Sequence, residues 1–109
     1  LVICQIESLQ AVENIDAICA QDGIDMFFIG PLDLSASAGC MGDYKNPTFV
    51  KALERAETTI RDSDKWLGGL VMPGDSTADM FKRGYNLVMP GSDVFLLREA
   101  ALENLKAAL

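Results

Sequence analysis

Short apolar runs alternate with amphipathic stretches along the whole chain. Four of these runs are typical of buried strands because they are rich in β-branched, aromatic and other apolar residues: 1–6, 25–29, 66–72 and 85–89. The stretch that follows each run has apolar residues at helical spacing, as Val12, Ile15 and Cys19 are after the first run. The pattern therefore predicts a strand followed by a helix, repeated along the chain.

Capping residues indicate where the expected helices begin and end. Gly23 closes the first helix, because glycine is favoured in the left-handed conformation that follows a helix end. Asn46 and Pro47 open the second as N-cap and first helical residue. The third and fourth helices each have two candidate caps, namely Asp75 or Ser76 and Ser92 or Asp93. The expected helices therefore run over about 9–20, 47–62, 76–83 and 93–109.

Three finer expectations follow from the same pattern. Residues 30–46 form a long loop, since Pro31 does not continue the second strand and the stretch is rich in Gly, Ser and Ala. The cations Lys82 and Arg83 meet the negative end of the third helix. One side of the last helix faces inward through Val94, Leu97, Ala101 and Leu105.

Apolar strands alternating with helices indicate an α/β fold with a parallel sheet and right-handed crossovers. Four such units fit either a small doubly wound sheet or half of a (β/α)₈ barrel, which needs about 250 residues. In both architectures ligands bind at the carboxyl edge of the sheet.

Composition narrows the class of protein. The chain has 109 residues, half of them hydrophobic, and begins inside an apolar strand without Met, so we expect one domain at most and a piece of a longer protein. It has three widely spaced cysteines, no CxxC pair and no histidine. This pattern favours reduced thiols and an intracellular setting over a disulfide framework or a zinc site.

Charge is distributed unevenly between the two ends of the chain. Residues 1–44 contain seven acids and no Lys or Arg, whereas residues 45–109 contain nine acids and nine bases, so the whole net charge of −7 lies in the first part. An acidic surface without a basic stripe argues against a nucleic-acid partner. No apolar run has the length of a membrane span, so no membrane partner is expected either.

Two acidic residues follow neighbouring strands at the predicted carboxyl edge. Adjacent strands lie about 4.8 Å apart, so Glu7 and Asp33 can converge on one cation. Oxygen ligation without His or Cys favours Mg²⁺ or Mn²⁺. Two other readings stay open: the acids only cap helices or loops, or they act as general acid and base without a metal.

A candidate anion-binding site lies beside these acids. Gly30 lets the backbone approach a ligand closely, and the N–H groups of Leu32 and Asp33 can bind a carboxylate or phosphate. The pattern alone favours the alternative, an ordinary strand-ending turn at Gly30 and Pro31. Leu70, on the third strand, faces either the site or the core.

These residues resemble the HpcH/HpaI aldolase family of the phosphoenolpyruvate/pyruvate barrel superfamily. The resemblance runs nearly end to end and is weaker over 69–71 and 84–93. Four segments carry it: Gln5-Ile6-Glu7-Ser8, Val12-Glu13-Asn14-Ile15, Gly23-Ile24-Asp25 and Phe28-Ile29-Gly30-Pro31-Leu32-Asp33-Leu34-Ser35. It implies that residues 1–109 are the C-terminal half of a TIM barrel, with its fifth to eighth strands and helices. With the reduced thiols, we expect a cytoplasmic protein.

The resemblance assigns roles to the candidate residues. Glu7 and Asp33 would hold Mg²⁺ or Mn²⁺, with Co²⁺ as a further candidate, and backbone amides around Leu32 would bind the pyruvate carboxylate. We place Gly30, Pro31 and Leu70 in the same substrate-binding set, because the pattern puts them at this edge. The implied reaction is reversible cleavage of a 4-hydroxy-2-oxo acid, such as a 2-keto-3-deoxy sugar acid or hydroxy-oxo-heptanedioate, into pyruvate and an aldehyde.

The family also uses an Arg and a His from the first half of the barrel. This chain has no His and no Arg at a matching position, so we expect no catalytic residue in it and no activity from it alone. The resemblance further implies a homo-oligomer, a hexamer in which residues 93–109 contact a neighbouring subunit. The alternatives are a citrate lyase β-subunit-like enzyme acting on acyl thioesters and a non-catalytic half-barrel.

Overall fold

The computed structural model describes residues 1–109 and contains one sheet of four parallel strands. The strands are adjacent in chain order: β1 Ile3–Ile6, β2 Met26–Ile29, β3 Trp66–Leu70 and β4 Leu87–Met89. Each β-strand is followed by at least one helix, so every connection between strands is a crossover. The predicted fold class of four parallel strand–helix units is confirmed.

Six helices connect and follow the strands: α1 Leu9–Glu13, α2 Ile15–Cys19, α3 Pro31–Ser37, α4 Pro47–Asp62, α5 Thr77–Lys82 and α6 Asp93–Ala108. The side chain of Asn46 caps α4 as predicted, and between the paired candidates Ser76 caps α5 and Ser92 caps α6. Gly23 has the expected left-handed φ, +81°, but it lies three residues after the C-cap Ala20 and so does not itself close the helix. None of the helices combines the length and hydrophobicity needed to cross a bilayer.

The single helix predicted over residues 9–20 is interrupted at Asn14. Its φ and ψ are −98° and 13°, outside the helical range, and α1 and α2 lie on either side of it. The Asn14 side-chain amide donates to the Gln10 carbonyl at 2.8 Å, a bond that competes with the regular backbone ladder. The prediction of one continuous helix is therefore wrong.

The long loop predicted over residues 30–46 is also wrong, because α3 occupies its first part. Gly30 is the extended N-cap, with φ −93° and ψ 94°, and Pro31 is the first helical residue. Proline is favoured there since the N–H that it lacks has no helical partner. Pro31 therefore ends the strand by starting a helix at once.

The hydrophobic core lies between one face of the sheet and helices α1 to α5. Ile6, Phe27, Ile29 and Leu67 point into it from the strands and are at most 2% exposed. Because strand side chains alternate, their neighbours point to the opposite side of the sheet. We call that side the open face; four of its apolar residues are 38% to 53% exposed, namely Ile3, Trp66, Leu87 and Met89.

Helix α6 does not bury any residue. Val94, Leu97 and Leu105 are 72%, 73% and 56% exposed, so the prediction that this side of the helix faces inward is wrong. In a parallel sheet a crossover helix packs over two adjacent strands. Strand β4 lies at the edge and has β3 as its single neighbour, which leaves α6 without a second strand to cover.

Candidate functional site

Strand register brings three predicted site residues into one row at the carboxyl edge. Ile6 pairs with Ile29, and Ile29 pairs with Gly69, so the next residue of each strand is level with the others. Those residues are Glu7, Gly30 and Leu70. By alternation they belong to the open face rather than the helix-covered face.

The side chain of Glu7 lies directly against Gly30. A Cβ built on Gly30 would be 3.3 Å from Glu7 Cβ and 3.4 Å from Glu7 Oε2, tighter than most side-chain contacts. The φ of Gly30, −93°, is open to any residue. Any larger residue here would press on the Glu7 side chain, so glycine serves to leave space beside the carboxylate rather than to provide backbone freedom.

Asp33 is placed at the same edge by the start of α3. It is the third helical residue, in the first turn, where the helix dipole favours a negative charge. Leu34 N donates to the Gly30 carbonyl at 3.0 Å, but the N–H groups of Leu32 and Asp33 precede the first helical hydrogen bond. Two donors and a carboxylate therefore stand together just after β2.

Pro31 and Ser35 anchor this turn in the protein. Pro31 is buried, whereas Leu32 is 44% exposed beside it. The fully buried Ser35 donates its hydroxyl to the Leu32 carbonyl at 2.6 Å and accepts from Gly42 N at 2.9 Å. The Ser35 hydroxyl thus acts as both donor and acceptor, and it links the turn to the loop that follows α3.

The donor set of this edge fits a hard divalent cation. Glu7 and Asp33 are exposed, and neither has an ion-pair partner among the cations of the chain. No group of three or more His, Cys, Asp or Glu is arranged to hold a metal. The chain therefore offers two carboxylate ligands, and a cation such as Mg²⁺ would complete its shell with water and substrate oxygens.

Sequence reasoning missed a cluster of four polar side chains in the helix layer: Glu57, Asp75, Arg83 and Tyr85. Arg83 donates through two nitrogens to the two Asp75 oxygens, at 2.8 and 2.6 Å. Its Nε is 3.6 Å from Glu57 Oε1, which accepts a 2.6 Å hydrogen bond from the Tyr85 hydroxyl. We call these four residues the Arg83 network.

The Arg83 network changes the interpretation of two predictions. Arg83 was expected to meet the end of α5 through its charge, but its side chain is bound to Asp75 and Glu57 instead. Tyr85 was expected in a strand, but β4 begins two residues later, at Leu87. One sequence signal for this cluster is available: Glu57 falls four residues after Leu53, on the apolar stripe of α4. In the structure Glu57 is only 7% exposed.

Electrostatics in the network follow from these contacts. The hydrogen bonds from Arg83 hold the pKa of the Asp75 carboxyl below its usual range. Burial, reinforced by the hydrogen bond to the Glu57 carboxylate, raises the pKa of Tyr85 above its usual range. Asp75 therefore stays charged and the Tyr85 hydroxyl stays protonated at neutral pH, so the ion pair between Asp75 and Arg83 persists.

A sequence profile described as HpcH/HpaI aldolase/citrate lyase matches residues 1–100, nearly the whole chain. The chain belongs to the HpcH/HpaI aldolase/citrate lyase family. The predicted resemblance to the HpcH/HpaI aldolase family is therefore confirmed.

Named relatives of this family member are carbon–carbon lyases. The chain is 35% identical over 102 residues to a hydroxypyruvate/pyruvate aldolase of Chromohalobacter salexigens, and the match covers 93% of this chain and 40% of the relative. It is 39% identical over 98 residues to a 2-keto-3-deoxy-L-rhamnonate aldolase of Klebsiella pneumoniae, covering 90% and 37%. The chain thus spans about 40% of the length of the curated relatives it matches.

A solved structure supports the same assignment. An HpcH/HpaI aldolase/citrate lyase family protein from Burkholderia cenocepacia superimposes with a TM-score of 0.84 at 32% identity, covering 98% of this chain and 42% of that one. The four strand–helix units of this chain are therefore part of a larger fold in its structural relatives.

Proposed function

We propose that the chain is the metal- and pyruvate-binding half of a divalent-metal-dependent aldolase. The reaction is reversible cleavage of a 4-hydroxy-2-oxo acid, of the 2-keto-3-deoxy sugar acid or hydroxy-oxo-heptanedioate type, into pyruvate and an aldehyde. The observation that carries the proposal is two carboxylates without ion-pair partners at the carboxyl edge of a family member, Glu7 beside Gly30 and Asp33 in the first turn of α3. A bound Mg²⁺, Mn²⁺ or Co²⁺ would supply Lewis-acid polarisation of the keto oxygen.

Each residue of the edge has a distinct part in this proposal. Glu7 and Asp33 hold the cation, and Gly30 leaves the space that the Glu7 side chain occupies. The N–H groups at the start of α3, around Leu32, donate to the pyruvate carboxylate. Leu70, level with Gly30 on the next strand, forms an apolar wall.

Proton transfer must come from groups outside this chain. The chain contains no His, and Arg83, which lies between the third and fourth strands, is already bound by Asp75 and Glu57. We therefore assign the Arg and His of the reaction to the other half of a complete barrel, and we expect the 109-residue chain alone to be inactive.

The proposal extends to assembly and location. Residues 93–109 are assigned to a subunit contact in a homo-oligomer, a hexamer by resemblance, because the apolar side chains of α6 are exposed. The unpaired edges of β1 and β4 add a second tendency to associate. A cytoplasmic location belongs to the same proposal.

A retro-aldol assay coupled to pyruvate detection tests the function on the full-length protein. Activity with Mg²⁺ should disappear with EDTA. Glu7→Ala and Asp33→Ala should each reduce kcat/KM at least about 100-fold, since even residues that only support metal ligands cost 10–100-fold. Asp22→Ala is the matched control, an exposed acid that lies before β2 at the opposite end of the strand.

Three outcomes would contradict the proposal. Activity that survives both EDTA and the two substitutions would exclude the metal pair. Turnover of an acyl thioester instead of the oxo acid would assign the protein to citrate-lyase chemistry. No turnover, together with no Mn²⁺ binding by the 109-residue chain, would favour a non-catalytic half-barrel.

A further inference from the structure

The loop between β3 and α5, residues 71–76, lies at the same edge as the candidate site. It follows Leu70 directly, and Val71 N donates to the Met89 carbonyl of β4 at 3.0 Å. Asp75 N donates to the Met72 carbonyl at 3.0 Å across a turn with Gly74 at φ +88°. Proline followed by a positive-φ glycine is typical of a type II turn, so the loop has one defined shape.

The far end of this loop is held by Arg83. Both Asp75 oxygens accept from its guanidinium, a two-pronged geometry that fixes direction as well as distance. Asp75 is 14% exposed and Arg83 36% exposed at their side chains, so the pair is shielded from much of the solvent. Asp75 is therefore a fixed end of the loop rather than a free surface acid.

The Arg83 side chain is in turn held by rigid elements. Glu57 of α4 lies 3.6 Å from its Nε, and its guanidinium carbon is 5.7 Å from the centre of the Tyr85 ring. That ring fills the space beside Gly69 of β3, where an added Cβ would be 2.5 Å from a ring carbon. Hydrogen bonds from Gly84 N to Phe81 O and from Tyr85 N to Met80 O close α5. They fix the backbone positions from which the side chains of Arg83 and Tyr85 extend.

The strand order places loop 71–76 one strand away from the candidate metal pair. The pair lies on β1 and just after β2, and β3 is the neighbour of β2 on the other side. Leu70 and its register partner Met89 make that side apolar. A substrate whose pyruvate end is bound at Glu7 and Asp33 can extend its remaining carbons over this apolar side.

We propose that the Arg83 network is a positioning device that fixes loop 71–76 as a wall for the aldehyde portion of the substrate. This inference rests on the proposed aldolase function. The four residues do not touch the reacting atoms; they act through the loop. Loosening the network should therefore weaken aldehyde binding while the pyruvate end of the site continues to work.

Three variants of the full-length protein test this inference. Arg83→Lys keeps the charge but loses the two-pronged bond to Asp75. Tyr85→Phe removes only the hydroxyl that binds Glu57 and keeps the ring beside Gly69, so it remains informative if Arg83→Lys does not fold. Arg55→Lys is the matched control, because Arg55 pairs with Asp16 at 3.2 Å on the exposed outer surface of the helices.

Two kinetic readouts separate aldehyde binding from pyruvate chemistry. In the synthesis direction, the KM for the aldehyde should rise about tenfold in Arg83→Lys and severalfold in Tyr85→Phe. Metal-dependent exchange of the pyruvate methyl protons, measured without aldehyde, should stay within about twofold of the unaltered protein. Amide hydrogen exchange of residues 74–76 should become faster in both variants and stay unchanged in Arg55→Lys.

The outcomes distinguish the two proposals. An aldehyde KM no different from that of Arg55→Lys, or a proportional loss of proton exchange and kcat, would overturn the positioning role and leave the aldolase function standing. Absence of metal-dependent proton exchange in the unaltered protein would refute the aldolase function, and this inference with it.

Discussion

At the scale of single residues, the sequence around Gly30 shows only part of the reason why glycine occupies this position. Its position after an apolar strand and before proline indicates a turn. Its backbone, however, is extended and has no need of glycine, and the constraint comes from the Glu7 side chain 3.3 to 3.4 Å away. A glycine can thus contribute to a site by leaving space for the functional side chain next to it.

Gly30→Ala should therefore impair the carboxylate beside it. The added methyl group presses on Glu7, and we expect Mn²⁺ affinity to fall about tenfold, as supporting substitutions at metal sites do. The measurement is Mn²⁺ titration followed by electron paramagnetic resonance. In the Glu7→Ala background the same substitution should cause no additional loss, because its effect acts through Glu7; equal losses in both backgrounds would contradict this account.

Asp75 gives a second prediction, on pH dependence. Its pKa is lowered by Arg83, so in the folded protein it stays charged below the pH at which the unfolded chain takes up the proton, about 4. The resulting stability is fully present above that pH and is lost as pH falls through the lower, folded pKa. Asp75→Asn should thus destabilise the chain at pH 7, and the difference should shrink toward pH 3.

Urea unfolding of both proteins at pH 7, 5 and 3 checks this prediction. Asp22→Asn is the control, an exposed acid without an ion-pair partner. A difference for Asp75→Asn that stays constant over this pH range would mean that the ion pair with Arg83 does not contribute to stability.

At the scale of elements, helices were predictable where capping chemistry was local. Asn46 with Pro47 marked the start of α4, and Ser92 that of α6. The same rule applies to Gly30 and Pro31 at the start of α3, although the sequence analysis predicts a loop there. Local signals thus fixed helix starts even where their meaning was misread.

Helix α6 is the element whose contacts the hydrophobic pattern does not predict. Its apolar residues have helical spacing, which normally predicts burial, yet none of its residues is buried. Spacing reports that a helix has an apolar side, but the partner of that side depends on what lies beside β4. The proposed partner is a neighbouring subunit.

Replacing Val94 and Leu97 together by Asp tests that proposal. If α6 contacts a second subunit, two charges in the contact should shift the protein toward monomer, as measured by sedimentation equilibrium. Because both residues are more than 70% exposed, the stability of each chain should change by less than about 0.5 kcal/mol. Asn104→Asp, which adds one charge to the same helix, is the control; an unchanged oligomeric state in the double variant would exclude α6 as the contact.

At the scale of the whole molecule, the sheet has one covered and one open face. The open face carries Glu7, Gly30 and Leu70 at its carboxyl end and exposed apolar residues such as Trp66 below them. In a closed barrel this face would line the interior, which is filled by side chains from all strands. The candidate site is therefore built on the face that a complete barrel would enclose.

The sequence by itself determined the elements that depend on near neighbours. Strand positions follow from continuous apolar runs, helix ends from capping residues, and the candidate carboxylates Glu7 and Asp33 from their place after two such runs. These signals are readable because each depends on residues a few positions apart. The family resemblance then attached a chemistry to the two acids.

Only the tertiary structure decided which distant residues meet. Register sets Glu7 level with Gly30 and Leu70, and folding brings Glu57 of α4 to Arg83 and Tyr85 at the end of α5. Such contacts join positions more than 20 residues apart, and their energies depend on packing rather than on local conformation. A linear pattern records which side chains are available, whereas the fold decides which of them touch.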